Sequence, residues 1–582
     1  MLQIKDGKFY LNGEEFRILS GAVHYFRMPR GKWKDIIYKA RLMGLNTVET
    51  IIPWNIHEPQ KGVFCFDGMY DICAFLDEIQ AAGMYAIVRP SPYTCGEWDF
   101  GGFPAWLLKD ENIRLRCMDE RYIAAVSDWY DKLIPMLAAH SLDKGGNIIA
   151  VQIENEYGSY GNDHTYMRWL KDKLQALGFD DTLLFTADGP GHFMLQGGTM
   201  PDVFMAANFG SRGAAAKEIM EQYQPGAPFF CAEFWNGWFN HWGEPDASKG
   251  RSDEACVVEL DEILKLGGSV NLYMFYGGTN YGFMAGANYI DEARGYQPDT
   301  TSYDYGAPLN ECGDITPKYR LMRECLAKYT KIPDEPLPED GAKINYGSHL
   351  ATGSVQLFDA LDMIGKKIHS AVPYPMERFD QDYGYILYLT KIEGPRPEAP
   401  VILQEVRDRA LVFADGRQLG VIDRKQKQQL PLEIGENGVA LDVLVENLAR
   451  INYGPKMKDA KGVTEGIIHG QQFLFDYDIH CLPMDDLDGL QFSNVQEYTE
   501  PAFYQFLVDI AECADTFLDM RGWGKGFVTV NGFNLGRYWD IGPEYGLYLP
   551  KELLHTGENE IIVFEEHKCG GKLAFAEQLP RE

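Results

Sequence analysis

The sequence has no run of about 20 apolar residues, no Cys-x-x-Cys pair and no apolar stretch of the signal-peptide kind near its start. We therefore expect no membrane-spanning segment. The eleven cysteines are odd in number and scattered along the chain, which fits reduced thiols better than a disulfide framework. Together these absences predict a cytoplasmic protein.

Basic residues are also few, since 54 Lys and Arg stand against 85 Asp and Glu, a formal net charge of −31. Such a charge repels nucleic acid and anionic lipid, so we expect neither as a partner. The sequence lacks the His-Glu-x-x-His, Gly-x-Ser-x-Gly and P-loop motifs, which argues against a zinc peptidase, a serine hydrolase and a nucleotide enzyme. The 12 histidines form no cluster with carboxylates, and we assign no metal and no cofactor.

The 582 residues exceed one typical domain. Up to about residue 280, apolar β-type runs alternate with amphipathic helical stretches, a pattern typical of β/α units around a parallel sheet. A hairpin over residues 9–16, with the turn pair Asn12-Gly13, is predicted to plug one end of this unit. Eight strand candidates predict a closed (β/α)8 TIM barrel, at residues 18–24, 47–52, 85–89, 148–154, 183–188, 203–208, 229–234 and 270–275.

The composition changes to proline and acidic residues at 331–340, which predicts a domain boundary. Beyond it, short alternating runs separated by Asn-Gly, Asp-Gly and Gly-rich turns predict one or two β-sandwiches. The predicted fold class is therefore α/β plus all-β, a TIM barrel followed by β-sandwich domains. The predicted domains are the barrel at 1–330, a linker and first β-sandwich at 331–485, and a second β-sandwich at 486–582.

Carboxylates end two of the predicted strands, at the side where the loops of such a barrel form a shared cleft. The fourth strand runs into Glu154 and Glu156, and the seventh into Glu233. Period-two alternation puts Glu154 and Glu156 on one strand face, so the pattern does not choose between them. Each acid alone could equally be structural. Two acids across a cleft rich in aromatic residues are the equipment for cleaving a glycosidic bond.

Ten segments of the chain carry a resemblance to a known family. Two of them are Val-Gln-Ile-Glu-Asn-Glu-Tyr-Gly-Ser-Tyr at 151–160 and Ala-Glu-Phe-Trp-Asn-Gly-Trp at 232–238. The others lie at residues 20–27, 53–59, 89–98, 101–107, 301–308, 382–388, 445–454 and 522–538. Over nearly its whole length, the chain resembles the glycoside hydrolase family 35 β-galactosidases of the bacterial intracellular type. The second β-sandwich is, by the same resemblance, a galactose-binding-like jelly roll.

The resemblance implies a retaining exo-β-galactosidase in which Glu156 is the acid/base and Glu233 the nucleophile. Asn155 would hydrogen-bond the sugar 2-hydroxyl, and Glu97 would hold galactose hydroxyls. The tyrosines that would line the galactose site are Tyr273 and Tyr303. Ile51 stands where some members of the family carry tyrosine, so that tyrosine contact with the sugar is not carried over.

Trp235 and Trp238 follow Glu233 by two and five residues, on the loop near which a leaving sugar would emerge. With Tyr453 from the first β region, they are predicted to form a stacking platform for the aglycone. Packing at the barrel rim is the alternative. We favour β1,3-linked galactose on N-acetylhexosamine as the substrate over a polymer or lactose.

Two other functions stay open at this stage. One is a non-catalytic galactoside-binding protein, against which both acids being intact argues. The other is a glycosidase for a different β-glycon such as glucosamine, against which the region of Glu97 argues. His24 and His57 are predicted to be structural or sugar-contacting residues. The expected partner is a galactose-terminated oligosaccharide, and a homodimer is left open.

Overall fold

The structure, a computed structural model, describes residues 1–581. The chain begins with three antiparallel strands, β1 (Leu2–Lys5), β2 (Lys8–Leu11) and β3 (Glu14–Phe16). Eight parallel strands then close a barrel, and so the predicted TIM barrel is confirmed. They are β4 (Leu19–Val23), β5 (Thr47–Ile51), β6 (Tyr85–Arg89), β7 (Ile148–Gln152), β8 (Leu183–Asp188), β9 (Phe204–Phe209), β10 (Phe230–Trp235) and β11 (Ser269–Tyr276).

The helices follow from apolar faces and end signals in the sequence. Asp119, for example, accepts hydrogen bonds from the first backbone N–H groups of one helix, and Gly44 ends another in the left-handed region at φ 102°. Within residues 1–581, no helix is both long and apolar enough to cross a bilayer. The α-helices are α1 (Trp33–Met43), α2 (Trp54–His57), α3 (Ile72–Ala81), α4 (Glu120–Ala138), α5 (His164–Leu174), α6 (His192–Gly198), α7 (Gly213–Tyr223), α8 (Asp253–Lys265), α9 (Pro317–Leu326) and α10 (Leu357–Ile364).

The initial hairpin plugs the N-terminal end of the barrel, as predicted. Its Phe9 ring packs edge-on against Phe204 and Phe230, at centroid distances of 5.3 and 6.2 Å. Both partners are first residues of barrel strands, so this contact lies inside the bottom of the barrel. Because apolar rings fill that end, the open end of the barrel is the one where the strands finish.

Short strands at the barrel rim and two stacked sheets form the next region. The sheets pack around a shared apolar core, which gives the predicted sandwich. In chain order the strands are β12 (Ala287–Asn288), β13 (Gln297–Pro298), β14 (Ser348–Leu350), β15 (Gly353–Gln356), β16 (Lys366–Ser370), β17 (Tyr385–Ile392), β18 (Arg396–Arg407), β19 (Arg409–Ala414), β20 (Arg417–Asp423), β21 (Leu430–Ile434), β22 (Val439–Glu446), β23 (Ile451–Tyr453), β24 (Gly462–His469), β25 (Gln472–Phe473) and β26 (Tyr477–Leu482). The sheet orders are β16-β26-β17-β22-β19-β20 and β21-β18-β24-β25.

The last strands form a second pair of sheets, so the predicted α/β plus all-β class is confirmed. They are β27 (Ala502–Ile510), β28 (Thr516–Asp519), β29 (Lys525–Val530), β30 (Phe533–Trp539), β31 (Gly546–Leu549), β32 (Gly557–Glu565) and β33 (Lys572–Ala576). Strand β14 pairs with β33, and β15 pairs with β27. The domain bounds 1–330, 331–485 and 486–582 stay a prediction, but residues 348–356 pair across the second of them.

Buried polar contacts fix the first β region against the open end of the barrel. The Arg450 guanidinium, which is fully buried, pairs with Asp99 at 3.1 Å and donates to Glu377. The Tyr93 hydroxyl donates to the backbone carbonyl of Asn452 at 2.7 Å. Strand β23 also pairs in parallel with β12 at the rim. These contacts bring the end of β23 to the mouth of the barrel.

All eleven cysteines are free thiols, as predicted for a chain without a disulfide framework. Six of them are buried, where they act as small apolar side chains in the packed interior.

Candidate active site

A cavity of about 150 Å³ opens where the barrel strands end. It brings together eight of the nine predicted site residues, although they come from four barrel strand ends and from β23. Those eight are Glu97, Asn155, Glu156, Glu233, Trp235, Trp238, Tyr273 and Tyr453. The remaining lining residues were not predicted as site residues: Thr94, Cys95, Gly96, Phe239, Asn288, Ile290 and Tyr305.

Tyr303, the ninth predicted residue, lies behind the cavity wall. Its hydroxyl donates a short hydrogen bond to Glu97 and lies 3.5 Å from the Tyr273 hydroxyl. The Arg27 guanidinium lies 3.8 Å from the centre of the Tyr303 ring. Burial raises the pKa of Glu97 to about 7, although the hydrogen bond from Tyr303 and the charge of Arg27 act against that rise. One wall of the cavity is therefore a fixed network of donors and acceptors.

The structure distinguishes the two acids after the fourth barrel strand, and the expectation that they share a strand face is wrong. Strand β7 ends at Gln152, and both Glu154 and Glu156 have left-handed backbone conformations, with φ of 57° and 45°. Alternation therefore stops before either acid is reached. Glu154 is fully buried and accepts two hydrogen bonds of 2.8 Å from Arg116, whereas Glu156 lines the cavity.

Glu156 has the environment of an acid that keeps its proton near neutral pH. Burial raises the pKa of this carboxyl to about 7, and the nearby charge of Glu233 contributes in the same direction. The Asn208 amide donates to Glu156 at 3.0 Å, which opposes the rise. A buried acid of this kind can donate a proton at pH 7.

Glu233 lies two residues before the end of the seventh barrel strand, β10, and is held by two donors. The Arg89 guanidinium pairs with it at 2.8 Å, and the Trp235 indole N–H donates to its second oxygen at 3.1 Å. Arg89 also pairs with Glu49 at 3.4 Å and donates a short hydrogen bond to the Asn155 side-chain oxygen. One buried arginine thus orients the carboxylate and the neighbouring amide together.

Sequence reasoning missed Arg89 and Asn208 as parts of this site. Both stand at or next to the C-terminal end of a barrel strand, β6 and β9 respectively. The rule that singled out the acids, a polar residue ending an apolar strand, also applies to these two residues.

In the side-chain amide of Asn155, the oxygen accepts hydrogen bonds from the protein and the nitrogen is available to a ligand. The side-chain oxygen accepts from Arg89 and, at 3.3 Å, from Gln152. In the described part of the chain, the amide nitrogen has no hydrogen-bond partner, and the residue lines the cavity. Its fixed orientation presents N–H donors to a ligand.

Trp238 and Tyr453 both line the cavity, and both are partly exposed to solvent. Trp238 is 40% exposed and stacks on Phe239 with ring centroids 5.0 Å apart. Tyr453 is brought to the mouth because Asn288 of β12 pairs with it in the rim sheet. Trp235 differs from these two because its indole contacts Glu233 directly.

Ile51 and the two histidines lie outside the cavity. Ile51 is fully buried in the barrel core. His24 and His57 are buried as well, the first against Arg27 and the second against the hydroxyl of Tyr25. Within residues 1–581, no group of three or more His, Cys, Asp and Glu side chains is arranged to hold a metal ion.

Three family models match the chain. The model of Glycosyl hydrolases family 35 matches residues 8–329, which include the whole barrel. The models of the first all-beta domain and of the galactose-binding domain of beta-galactosidase match residues 373–484 and 501–559. The matched segments follow one another in the order of the observed barrel and sheets.

Curated relatives match the chain over almost its full length. A beta-galactosidase of Xanthomonas manihotis is 44% identical, with 93% of this chain and 90% of the relative covered. A beta-galactosidase-1-like protein of Mus musculus is 40% identical, with 96% and 88% covered. The Homo sapiens beta-galactosidase is 38% identical, with 96% and 86% covered.

Proposed function

The chain belongs to Glycosyl hydrolases family 35, and from this premise we propose that it is a retaining exo-β-galactosidase acting on short oligosaccharides. The predicted family and the enzyme class, a glycoside hydrolase, are thus confirmed. The single observation that carries the finer proposal is the pair of carboxylates at one cavity, Glu156 protonated near pH 7 and Glu233 held by Arg89. Two carboxyl groups in unlike environments are suited to two different tasks.

In the first step, the Glu233 carboxylate attacks the anomeric carbon while Glu156 gives its proton to the glycosidic oxygen. The bond from the anomeric carbon to the leaving sugar breaks, and a galactosyl ester forms on Glu233. In the second step, Glu156 removes a proton from water as the water oxygen attacks the same carbon. The ester breaks, β-galactose leaves, and both carboxyl groups return to their starting state.

The proposal of galactose as the glycon is supported by the wall that Glu97 forms with Tyr303 and Tyr273. These groups are buried and fixed by one another, so a sugar epimer with a misplaced hydroxyl would leave them unpaired. Unpaired buried polar groups discriminate strongly between substrates. The free N–H donors of Asn155 are suited to the 2-hydroxyl oxygen, because Asn155 lines the same cavity as the two carboxylates.

We extend the proposal to the aglycone, for which Trp238 and Tyr453 provide ring faces at the cavity mouth. An N-acetylhexosamine joined through a β1,3 linkage is the leaving sugar that we favour. Stacking on an exposed ring contributes about 0.5–1.5 kcal/mol beyond the burial of apolar area. A cytoplasmic location and a homodimer remain predictions.

Trp238→Ala is expected to lower kcat/KM on a β1,3-linked disaccharide about tenfold, because the leaving sugar loses its stacking face. On an aryl galactoside with a small leaving group, the loss should be under about twofold. Steady-state kinetics on both substrates measures the difference. Phe193→Ala, which removes a 78% exposed ring outside the cavity, serves as the control and should change neither value. Equal losses on both substrates would assign Trp238 to rim packing.

The pH dependence of kcat/KM should show the titration of Glu156. Its pKa of about 7 lies above the usual value, so the acid is protonated below pH 7 and loses its proton as pH rises. Activity on a disaccharide should therefore fall above pH 7. An activated aryl galactoside, which needs no protonation, should lose less. If the fall persisted unchanged in Glu156→Gln, another group such as Glu97, whose pKa is also about 7, would be responsible.

One experiment tests the proposed function as a whole. The protein is incubated separately with β1,3-, β1,4- and β1,6-linked galactosyl disaccharides and with a β-glucosaminide. Proton NMR follows the release of galactose or glucosamine. We expect β-galactose as the first-formed anomer and the fastest release from the β1,3 linkage. First-formed α-galactose would contradict retention. Release of glucosamine in place of galactose would favour the other glycon, and binding without turnover would favour a galactoside-binding protein.

A further inference from the structure

A second and larger cavity, of about 1030 Å³, adjoins the active site. It lies between the barrel and the first β region, and it is open to solvent. The barrel contributes residues 114–117, 157 and 159–163. The β region contributes residues 453–459, two residues near the end of β18, and Arg424, which follows β20. The volume exceeds that of the active-site cavity several times, so it can hold more than one sugar unit.

Two residues, Ile290 and Tyr453, line both cavities. The larger cavity is also lined by residues 157 and 159–163, which directly follow Glu156 in the chain. A proton donor lies beside the oxygen of the leaving group. The larger cavity therefore adjoins the active site on the side where the leaving group of the proposed reaction would lie.

The larger cavity is rich in cations, although the chain as a whole carries a charge of −31. Three of its lining side chains are carboxylates, and all three already have partners. Asp163 caps helix α5, and Glu405 pairs with Lys427 at 3.3 Å and with Arg407 at 3.6 Å. Asp459 pairs with Lys461 at 2.7 Å, with Arg424 at 3.0 Å and with Arg407 at 3.8 Å. Six lining side chains are basic: Arg114, Arg116, Arg407, Arg424, Lys456 and Lys458.

Two of these basic side chains have no carboxylate partner among the described residues. Arg114 is exposed and forms no ion pair, and the Lys458 amine donates only to the backbone carbonyl of Glu111, at 2.5 Å. Arg407 adds a buried Nε–H that has no hydrogen-bond acceptor. The pKa of Lys458 is lowered by burial and, second, by the positive charge of Arg114. The charges of Asp110 and Glu111 oppose this shift, but among the described residues neither carboxylate forms an ion pair with Lys458 or Arg114. Two like charges without such a pair favour a bound anion.

We propose that the larger cavity binds an anionic substituent on the leaving saccharide, so that the substrates are acidic oligosaccharides of at least three sugars. The substituent is a sulfate ester or a uronic acid carboxylate. Both carry the negative charge that Arg114 and Lys458 recognise, and both offer an acceptor oxygen to the Arg407 Nε–H. This inference rests on the proposed function because it assigns the leaving-group side of that site. It adds the charge and length of the natural substrate.

The test compares three galactosyl trisaccharides that differ only at the sugar farthest from galactose: neutral, sulfated, or with a uronic acid. Wild-type kcat/KM should be about tenfold higher for both acidic substrates, since a charge-assisted hydrogen bond contributes on this scale. Added salt should reduce the preference by screening. Arg114→Gln with Lys458→Gln should remove it while leaving the neutral trisaccharide unchanged. Lys34→Gln, an exposed lysine on α1 outside both cavities, is the matched control.

Binding to Glu233→Gln, measured by calorimetry, separates the inference from the proposed function. Tighter binding of the acidic trisaccharides than of the neutral one would support the inference. If the wild-type protein turned over none of the substrates, that result would overturn the proposed function but not the inference. Equal affinity and equal kcat/KM for neutral and acidic substrates would overturn the inference. Galactose release in the same assays would still support the proposed function. A preference that survived in the double variant would also overturn it. A preference for only one acidic substrate would identify the substituent.

Discussion

Glu233→Ala should abolish galactose release, with kcat falling on the order of 10⁴- to 10⁶-fold, the range seen when a covalent nucleophile is removed. The physical reason is that, among residues 1–581, no other carboxylate is held by both Arg89 and Trp235. Steady-state kinetics on a β-galactoside measures the loss. A 2-fluoro galactoside, which slows breakdown of the ester, should label Glu233 in the wild-type protein.

The isosteric Glu233→Gln provides the control for folding, because it preserves the side-chain shape and can still accept from the Trp235 indole. It should be as inactive as the alanine variant while its far-ultraviolet circular dichroism is that of wild type. Mass spectrometry of the labelled peptide decides the assignment. A label on Glu97 or Glu49 would transfer the role of nucleophile to that residue.

Glu156→Ala should affect substrates according to how much protonation their leaving groups need. Hydrolysis of a disaccharide is expected to fall about 10²- to 10⁴-fold, the usual contribution of general acid catalysis. An aryl galactoside with a weakly basic leaving group should still form the ester on Glu233. Azide needs no general base, so it should accelerate turnover of that substrate and give β-galactosyl azide, detectable by mass spectrometry.

Glu154→Gln is the matched control, since it alters the neighbouring acid of the same segment. Glu154 pairs with Arg116 away from the cavity, so the substitution leaves a buried cation without its partner. Such losses reduce the free energy of unfolding by about 3–5 kcal/mol. We expect a lower denaturation midpoint without azide rescue. Azide rescue of Glu154→Gln in place of the Glu156 variant would show that the acid was assigned to the wrong residue.

Much of the fold could be predicted because local patterns coincide with tertiary structure in a β/α barrel. Strands β6 and β8 were predicted with their observed bounds, since their apolar runs are buried on both faces and end at polar residues. The pairing of β15 with β27 could not be predicted. Some 145 residues separate the two strands, and no local pattern specifies a partner so distant in sequence.

The site was predictable where one residue type at one strand end implies its chemistry, as with Glu233. It was not predictable where the backbone leaves regular structure. The left-handed conformations of Glu154 and Glu156 direct the two side chains apart, which alternation along a strand cannot represent. Arg116 and Arg89 show a related limit, because an ion pair between distant segments is invisible until the chain is folded.

The pairing of β14 with β33 has a consequence for how the chain folds during synthesis. Residues 348–350 leave the ribosome more than 220 residues before their partner strand at 572–576. The barrel can form as soon as its eight strands have emerged, and the sheets of the first β region can follow. The edge of β14 has no strand to pair with until residues 572–576 have emerged. A ribosome that stops shortly before residue 572 therefore leaves an unpaired strand edge exposed to aggregation.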